Sequence, residues 1–596
     1  MRPLIENSFY HQNLENLKVL AIVPHEDDEI NTCAALLKAL SECGAAITLV
    51  YTTNGDWKYD ALTRMKEASE AAGVLGVRKE QILFLGYGDS INNDKRDHIF
   101  YAKDKPAVSA AGRTETYGTG LYEDYAFKVN GKHHTYTREN YLGDIISVLE
   151  EVRADLIICT DFDEHPDHRM LALLLDQAIG IIRGRDPEYR PELWKRFAYP
   201  LAYTAAADYS CINNPQTQRP IAGVNRKYKW DIIDKFVYSW NDRIRIPVPF
   251  TEGERLESNL VAEALSRHKS QRIIVFADRI INSDEVYWRR RTDSISYTAS
   301  VSASSGNARY LNDFMLYNAE DIDDPAPPFA NYYWKPEAGD SERSAVFTWN
   351  EPQQIEQIIL YPSISNNQQK LKAQITLSDG YTVCCEDIPC DGSPYAIQTG
   401  RHEGITGCEI KLPDSGLEED CGLSECEIYS SARDNSCIGP FCKITVDDNF
   451  VYEYIVRQGV EKIPLGVYSF GCKDETWKFE VTEGRSVIVG SDLIIDPSDR
   501  VIAVQCSGRE SGVWDRIAVN IVTQEEMALK LKCAEADRKY LEKERKSLKV
   551  HNMIYILKKN GPAAVVRRTL KNVILPRLRK KNYGKEQSDP DWRRSL

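Results

Sequence analysis

The chain has 596 residues, 42% of them hydrophobic, and a formal net charge of −14 at pH 7. A chain of this length exceeds what one hydrophobic core usually organises, so three or four domains are expected. The acidic balance argues against nucleic acid as a general partner. No uninterrupted apolar stretch approaches the roughly 20 residues that a membrane span needs.

The first residues and the cysteines predict where the protein works. The segment MRPLIENSFYHQNLENLKV lacks the apolar core of a secretion signal. The fifteen cysteines are scattered and form no CxxC pair, which favours reduced thiols over a disulfide framework. We therefore expect a cytoplasmic protein.

The first half of the chain alternates predicted strands with predicted helices. Strands are expected at KVLAIV, AITLVYTT, QILFLGY and DLIICT, and helices over about 29–43, over 61–75 and after Pro166. Strands separated by helices indicate right-handed βαβ units and a parallel sheet. Ligands of such sheets bind beyond the carboxyl ends of the strands.

Two clusters of ionisable residues follow the first and the fourth of these strands. KVLAIV is followed by PHEDDE (24–29), and DLIICT is followed by DFDEHPDH (161–168). Crowded carboxylates repel one another, and near a core they cost desolvation energy unless something compensates. A bound cation is the compensation that this pattern favours.

Two imidazoles and one carboxylate from these clusters suit a catalytic zinc ion. His25, Asp28 and His168 form such a ligand set, which leaves coordination positions open. Asp27 stands beside these ligands and is placed to take up a proton. His165, three residues before His168, is placed to stabilise an oxyanion or to protonate a leaving amine.

On these residues the chain resembles the PIG-L/LmbE-like zinc deacetylase family. The family pattern is His-Pro-Asp-Asp-Glu after the first strand and His-Pro-Asp-His after a later one, and the segments here are HEDDE (25–29) and HPDH (165–168). The resemblance implies that His25, Asp28 and His168 bind Zn²⁺, or Fe²⁺ in its place. It also implies that Asp27 is the general base and that His165 is its electrostatic or acid partner.

Further family segments occur in the same order. They are TNGD (53–56), RMKEASEAAGVLGV from Arg64, LGYGD ending at Asp89, and RHKSQ (267–271). In relatives the arginine and the aspartate contact the sugar, so the resemblance implies that Arg64 and Asp89 bind substrate. The chain departs from the pattern at Glu26, which replaces the usual proline, and at Val261, where a lysine is often found. Neither departure removes a ligand.

Between Ser90 and Thr137 the alternation of strands and helices breaks. This insertion is rich in Tyr, Gly and Lys, and a long loop in a compact domain is usually functional or disordered. We predict a lid that shapes the substrate site. His133 and His134 within it are predicted to be surface residues. His268 is predicted to support the site from behind the ligands or to pack in the core, not to bind the metal.

From about residue 303 short alternating segments with turn residues between them predict an all-β region. Residues 301–435 resemble the discoidin-like (F5/8 type C) jelly roll in YYWKP, IEQIILYP and GLSECEIY. That resemblance implies glycan binding through loops at one end, and a role as a spacer stays open. Residues 436–523 predict a second β-sandwich.

The last segment, residues 524–596, predicts an exposed helix and a basic amphipathic tail. From His551 to Asn582 it carries nine Lys or Arg residues and no acid, with apolar residues between them and an expected break at Gly561-Pro562. Anionic lipid attracts such segments. Docking on a partner protein is the open alternative.

The predicted architecture has four parts. An α/β Rossmann-like parallel-sheet deacetylase domain (1–300) is followed by two β-sandwich domains (301–435 and 436–523) and a helical basic tail (524–596). The predicted activity is hydrolysis of the N-acetyl group of an N-acetylglucosamine-type sugar in a glycan or glycolipid. The setting would be cell-surface polysaccharide biosynthesis, in the cytoplasm or at the inner membrane face.

Two alternatives remain open at the level of the sequence. One is a zinc amidase that acts on a small thiol or sugar conjugate. The other is a glycan-binding scaffold with an inactive first domain.

Overall fold

The computed structural model describes most of the chain. The described residues are 7–89, 98–163, 165–198, 217, 242–247, 255–316, 322, 333–363, 370–390, 392–413, 421–433, 435–450 and 452–569, without the side chains of 279 and 555–569. The chain divides into two compact units, Met1–Ala534 and Glu535–Leu596. The finer division into four domains stays a prediction.

A seven-stranded sheet forms the core of the first part of the chain. Its strands are β1 Lys18–Val23, β2 Ala46–Thr53, β3 Ile82–Tyr87, β4 Leu156–Thr160, β5 Glu192–Arg196, β6 Ile244–Pro247 and β7 Asp284–Arg290. The strand order is β3-β2-β1-β4-β5-β7-β6. The first five strands in this order are parallel, whereas β7 is antiparallel to β5 and to β6. The predicted parallel sheet is therefore confirmed for five strands and extended by an antiparallel edge.

Helices cover this sheet. They are α1 Asp28–Glu42, α2 Ala61–Val74, α3 Tyr125–Asn130, α4 Arg138–Val152, α5 Pro166–Arg185, α6 Leu260–Arg267 and α7 Ala277–Ile280. Side-chain caps begin several of them, because the first backbone N–H groups of a helix need acceptors. Asp60 accepts from the N–H of Thr63, and His165 accepts from the N–H of Asp167. Pro166 stands at the first position of α5, where its missing N–H costs nothing.

Helix α1 is interrupted after its first turn. Cys33 has non-helical angles (φ −152°, ψ 27°), so the following N–H groups lose their partners within the helix. The Glu285 carboxylate of β7 replaces them by accepting from Ala35 N at 2.9 Å and from Leu36 N at 3.0 Å. This contact fixes the part of α1 that follows the break.

The order in which strands are added to the sheet reverses at β1. Strand β2 pairs with β1 on one side and β4 pairs with it on the other, with Ile22 opposite both Val50 and Cys159. The carboxyl ends of β1 and β4 therefore open onto one crevice, which is where ligands bind in open α/β sheets. Both ionisable clusters leave the sheet at this crevice.

The insertion is folded onto the core where it is described. Residues 98–137 contain a short 3₁₀-helix, Ile99–Tyr101, and helix α3. Phe100 and Tyr136 are buried in the same apolar cluster as Leu20. Residues 90–97 lie outside the described part of the chain, and the role of the insertion as a lid stays a prediction.

Antiparallel strands follow, as the sequence predicts. They are β8 Ser300–Ala303, β9 Ser344–Pro362, β10 Lys370–Leu377, β11 Thr382–Pro389, β12 Tyr395–Lys411 and β13 Leu423–Tyr429. The order is β11-β10-β12-β9-β13, and β8 also pairs with β9. Arg290 of β7 donates to the buried Glu427 carboxylate of β13 at 3.0 Å, so a buried ion pair joins this region to the first sheet.

Two four-stranded sheets complete the β part of the chain. Their strands are β14 Phe441–Val446, β15 Glu453–Arg457, β16 Lys462–Phe470, β17 Trp477–Glu483, β18 Val487–Val489, β19 Asp492–Ile494, β20 Val501–Gly508 and β21 Trp514–Val522. One sheet has the order β14-β16-β19-β18 and the other β15-β21-β20-β17. Residues of both sheets share one apolar cluster. The pair β15–β21 is parallel, and the other pairs are antiparallel.

The segment from Asn7 onward packs against these last sheets. Asn7 is fully buried, and its side-chain amide donates to Asp515 Oδ1 of β21 at 2.8 Å. Asp515 also pairs with Lys443 of β14 at 2.9 Å, and both side chains are buried. Farther along, Leu14 N donates to Cys43 O behind α1. This N-terminal segment therefore touches both the first sheet's helices and the last sheets.

A long helix, α8 Gln524–Thr569, ends the described chain. Its backbone continues through Gly561 and Pro562; proline removes a single backbone donor, and the turns on either side keep theirs. The expected break of the apolar face at these two residues stays a prediction. No helix within the described ranges is apolar enough over sufficient length to cross a membrane. The side chains of the predicted amphipathic tail are described only as far as Ile554, which is exposed.

Candidate metal centre

The predicted site residues come together at the crevice between β1 and β4. His25 follows β1, and Asp28 opens α1 after it. His165 caps α5, and His168 lies in the first turn of that helix. All four side chains are buried, so the local turns bring imidazoles and a carboxylate into a site with little solvent.

Three ligand atoms converge there. His25 Nδ1 lies 2.8 Å from Asp28 Oδ2, His168 Nε2 lies 3.1 Å from the same oxygen, and the two nitrogens are 3.3 Å apart. Ligands about 2.0–2.1 Å from a tetrahedral zinc ion are about 3.3 Å from one another. The set therefore fits a zinc ion closely, although its role as ligands stays a prediction. His165 also offers a nitrogen within 4.8 Å of ligand atoms of His25 and His168.

A carboxylate backs each of the two imidazoles. His25 Nε2 faces Asp167 Oδ2 at 3.2 Å, and His168 Nδ1 faces Asp163 Oδ1 at 2.8 Å. A ring nitrogen that donates to a carboxylate leaves the lone pair of the other nitrogen for a metal. With His25 Nε2 and His168 Nδ1 as the donors to these carboxylates, His25 Nδ1 and His168 Nε2 are the nitrogens whose lone pairs would bind a metal.

The charges of the site are consistent with this assignment. Burial alone would lower the pKa of His168, but Asp163 and Asp28 outweigh it and raise that pKa to about 10. Burial likewise opposes the charge of His25, and its hydrogen bonds to Asp167 and Asp28 raise its pKa well above the usual value. The carboxylates thus stabilise positive charge at this site. Without a bound cation, that charge is carried by protonated His25 and His168.

His165 is in a different electrostatic state. Burial and the neighbouring His25 and His168 hold its pKa well below the usual value, so the ring is neutral at neutral pH. Its Nδ1 accepts the N–H of Asp167 at 3.2 Å, which leaves the proton on Nε2. A neutral imidazole with this tautomer is a hydrogen-bond donor rather than a strong acid, so the oxyanion role is favoured over protonation of the amine.

The proposed general base is held by an arginine. Arg64 Nη2 lies 3.0 Å from Asp27 Oδ1, and the same guanidinium donates to the carbonyl oxygens of Gly55 and Glu26. Arg64 Nε lies 3.5 Å from the buried Glu26 Oε2. Arg64 is itself buried. Its described contacts are therefore those of a residue that positions the loop after β1, and its contact with substrate stays a prediction.

Glu26 occupies the position where the family pattern has proline, and its carboxylate lies against the Arg64 guanidinium. Its side chain is fully buried. Burial raises the pKa of Glu26 to about 8 against the opposing charge of Arg64. The substitution therefore adds a buried acid to the loop without displacing a ligand atom.

Asp89 reaches the same crevice from the end of β3. Its backbone N–H donates to Asp56 Oδ1 at 2.9 Å, and Tyr117 of the insertion donates to Asp56 Oδ2 at 2.7 Å. Burial raises the pKa of Asp89 to about 7, with His25 opposing the shift and Asp167 adding to it. The insertion is thus tied to the candidate substrate subsite through Asp56.

Comparison with protein families found matches to two parts of the chain. Residues 20–179 match the sequence profile of the PIG-L family, described as GlcNAc-PI de-N-acetylase. Residues 294–429 match DUF7402, a domain of unknown function. Comparison with curated proteins found no match.

Several solved structures are similar to parts of the chain. A deacetylase of the teicoplanin biosynthesis pathway has 17% identity over 46% of this chain and 98% of its own, with a TM-score of 0.28. The N,N'-diacetylchitobiose deacetylase of Pyrococcus horikoshii has 17% identity over 46% of this chain and 84% of its own, with a TM-score of 0.24. CpGH89CBM32-4 of Clostridium perfringens has 14% identity over 23% of this chain and 98% of its own, with a TM-score of 0.17.

The structure adds residues to this site that sequence reasoning missed. Asp163 and Asp167 stand two residues before and after His165, and that spacing beside two candidate histidines is a usable signal. His98 gives no such signal. It comes from the insertion, where its Nδ1 accepts from Phe100 N and its Nε2 lies 3.5 Å from Asp167 Oδ1.

His268 of the RHKSQ segment is also part of this surrounding shell. Its Nε2 lies 2.8 Å from Glu29 Oε1, and both side chains are fully buried. Ser270 of the same segment donates twice to Glu67 of α2. The segment therefore links the start of α1 to α2. His133 and His134 pair with Asp124 and Asp144 instead and do not join the metal centre.

Proposed function

We propose that this protein is a zinc-dependent N-deacetylase that hydrolyses the N-acetyl group of an N-acetylglucosamine-type sugar. The observation that carries the proposal is the convergence of His25 Nδ1, Asp28 Oδ2 and His168 Nε2 within 2.8–3.3 Å of one another. The family described as GlcNAc-PI de-N-acetylase, matched over residues 20–179, supports the substrate class.

The residues that would hold zinc are His25, Asp28 and His168. Zinc bound there supplies a Lewis acid for an amide carbonyl and a nucleophilic water near neutral pH. Asp163 and Asp167 hold the two imidazoles in the required tautomers and orientations. Partners of this kind usually matter nearly as much as the ligands.

Asp27 is the base in this mechanism. Its described side-chain contact is the ion pair of Oδ1 with Arg64, which fixes the carboxylate and leaves Oδ2 to take a proton from the attacking water. A positioned base of this kind contributes about 10²–10⁴-fold to rate. The proton that Asp27 accepts is then given to the leaving amine as acetate forms.

His165 stabilises the negative charge that develops on the carbonyl oxygen. Its neutral ring donates from Nε2, and its Nδ1 is fixed by the N–H of Asp167. Donors held in place before the reaction stabilise such charge most effectively, because they need not reorganise. Asp89 and Arg64 are proposed to bind the sugar. Asp89 lies just after the end of β3 and donates its backbone N–H to Asp56. Tyr117 of the insertion donates to the same Asp56 carboxylate.

The remaining parts of the chain are proposed to deliver a large substrate. The antiparallel region that follows the PIG-L family domain is proposed to be a discoidin-like module that contacts glycan, on the strength of its segments YYWKP and GLSECEIY. The basic tail is proposed to hold the protein at the inner membrane face during polysaccharide biosynthesis. A chain ending at residue 550 should then bind anionic vesicles more weakly than the full chain, and equal binding would refute this part.

The test of the activity is acetate release. Zinc-loaded protein is incubated with N-acetylglucosamine conjugates that range from the free sugar to lipid-linked forms. Asp27→Ala should abolish release from the substrate class that the parent accepts. Asp186→Ala is the matched control, because Asp186 is an exposed partner of Arg153 at the far end of α5.

Each outcome of this test decides between functions. Release from one class that is lost only in Asp27→Ala supports the deacetylase. No release from any conjugate, with zinc shown to be bound, rejects this substrate class in favour of another amide. Protein that binds the sugars without bound zinc or turnover indicates the glycan-binding scaffold.

A further inference from the structure

Helix α8 exposes a row of large apolar side chains. Each of them is between 47% and 62% exposed, and the row consists of Leu529, Tyr540, Val550 and Ile554. Single exposed apolar residues are ordinary on a protein surface, whereas a contiguous apolar surface usually marks an interaction site. The row therefore raises the question of what it binds.

The row follows the spacing of a coiled coil. Steps of four and three residues, taken alternately from Leu529, give eight positions with described side chains, which we call the seam: Leu529, Cys533, Ala536, Tyr540, Lys543, Ser547, Val550 and Ile554. Six of the eight are apolar. Apolar residues that repeat every 3.5 residues on average form the surface along which two helices wind around each other.

The seam is a different face of α8 from the one that is already buried. Ala534 and Leu541 are 6% and 1% exposed. At about 100° per residue, they point roughly 140° away from the middle of the seam. The buried face therefore does not use the seam residues.

The charges beside the seam favour a second copy of the same helix as its partner. Lys532, Lys539 and Lys546 form one flank and are exposed, and Glu544 lies on the other flank. In two parallel helices in register, Lys539 lies beside Glu544 of the second copy, since flanking residues five positions apart meet across such a pair. An antiparallel pair would instead set the row of lysines against itself. Flanking charges of this kind set the orientation of coiled coils.

We propose that the seam pairs α8 with α8 of a second copy of the chain, as a parallel two-stranded coiled coil in register. Lys543 and Ser547 make the middle of the seam polar. Polar residues in a seam fix the register at a cost in stability, so the dimer should dissociate on dilution. This inference is independent of the proposed activity.

The first experiment measures the mass of the full chain by sedimentation over a wide range of protein concentration. The parent should pass from monomer to dimer. Leu529→Glu and Val550→Glu should each raise the dissociation constant by about tenfold or more, because each places a charge in the seam. Leu531→Glu is the matched control, since Leu531 is also 47% exposed but points roughly 150° away from the middle of the seam. Equal unfolding midpoints of the monomers show that the variants fold.

The second experiment tests the orientation through Cys533, a free thiol of the seam. Parallel helices in register bring the two copies of Cys533 face to face. Diamide should then oxidise the two thiols to one disulfide and take up the two electrons and two protons. Cys533→Ser should lose the linked dimer, and Cys384→Ser should keep it, because Cys384 is an exposed thiol of β11 away from the seam.

Every outcome decides for or against the dimer. A parent that stays monomeric at all concentrations overturns the proposal and leaves the seam to another protein. A dimer that Leu529→Glu and Val550→Glu leave unchanged, or that Leu531→Glu weakens as much as they do, overturns it as well. A dimer that depends on the seam but forms no disulfide, although Cys533 reacts with a maleimide, overturns the parallel register.

Discussion

Replacing Asp163 with asparagine tests whether the carboxylates behind the imidazoles set the affinity for metal. Asp163 is fully buried, and its described donors include His168 Nδ1 at 2.8 Å, His165 N at 3.0 Å and Ala198 N at 3.0 Å. The first two fall on Oδ1 and the third on Oδ2. Asparagine has a single acceptor oxygen and no charge, so it cannot satisfy all three donors.

Two separate losses are expected from Asp163→Asn. A neutral acceptor orients His168 less firmly and makes it a poorer ligand, so zinc affinity should fall by about 10–100-fold, or about 1.4–2.7 kcal/mol. The N–H that faces the new amide group loses its acceptor, which should cost about 1–3 kcal/mol of folding free energy. The metal-free variant should therefore still fold, with a lower unfolding midpoint.

The assay is competition for zinc against a chelator of known affinity, at one pH and with folded protein. Asp176→Asn is the matched control because Asp176 lies on α5, as His168 does, and is buried, but bonds to Lys195. It should lose stability and keep its zinc affinity. Zinc affinity of Asp163→Asn within twofold of the parent would refute the reasoning, since the carboxylate would then play no part in holding the metal.

Three further perturbations test other parts of the structure. Gly55 has φ +53°, and a Cβ there would overlap the guanidinium of Arg64 and lie 2.5 Å from Glu26 Oε2; Gly55→Ala should therefore lower kcat/KM by on the order of 100-fold while zinc content stays at the parent level, as measured by acetate release and metal analysis. Burial raises the pKa of Glu26 to about 8, so the folded state holds the carboxyl proton more tightly than the unfolded state does. The free energy of unfolding of the parent should therefore fall as pH rises from about 4.5 to 8. Glu26→Gln lacks that loss, so the Tm of the variant minus that of the parent should increase from pH 5 to pH 8, and a constant difference would contradict the assignment. Glu285→Ala leaves Ala35 N and Leu36 N without their acceptor and should cost about 2–6 kcal/mol in urea unfolding, whereas a loss below about 1 kcal/mol would show that the break in α1 needs no such partner.

The strands nearest the site could be predicted because their signals are local. AITLVYTT is an apolar run bounded by turn residues, and it matches β2 to the residue. KVLAIV likewise matches β1. Strand β7, with the sequence DEVYWRR, was not predicted, and its charged residues are not a pattern that indicates a buried strand. They are buried there since Glu285 caps the broken helix and Arg290 pairs with Glu427 of β13. Partners so far away in sequence leave no local pattern.

The same distinction applies to the site. The meeting of His25, Asp28, His165 and His168 at one crevice could be predicted, because both clusters follow strands that are neighbours in the sheet. Asp163 and Asp167 decide which nitrogen of His168 and of His25 would bind the metal. These contacts could be seen only in the three-dimensional structure. The link from His98 to Asp167 crosses from the insertion to α5, and no spacing in the chain indicates it.

The buried contact between Asn7 and Asp515 has a consequence for how the protein is made. Asn7 leaves the ribosome 508 positions before its partner Asp515. During synthesis the Asn7 amide must therefore wait for this partner until Asp515 has emerged. The packing of the N-terminal segment on β21 is then a late event in folding, and a tag placed just before Asn7 would interfere with a contact that forms late.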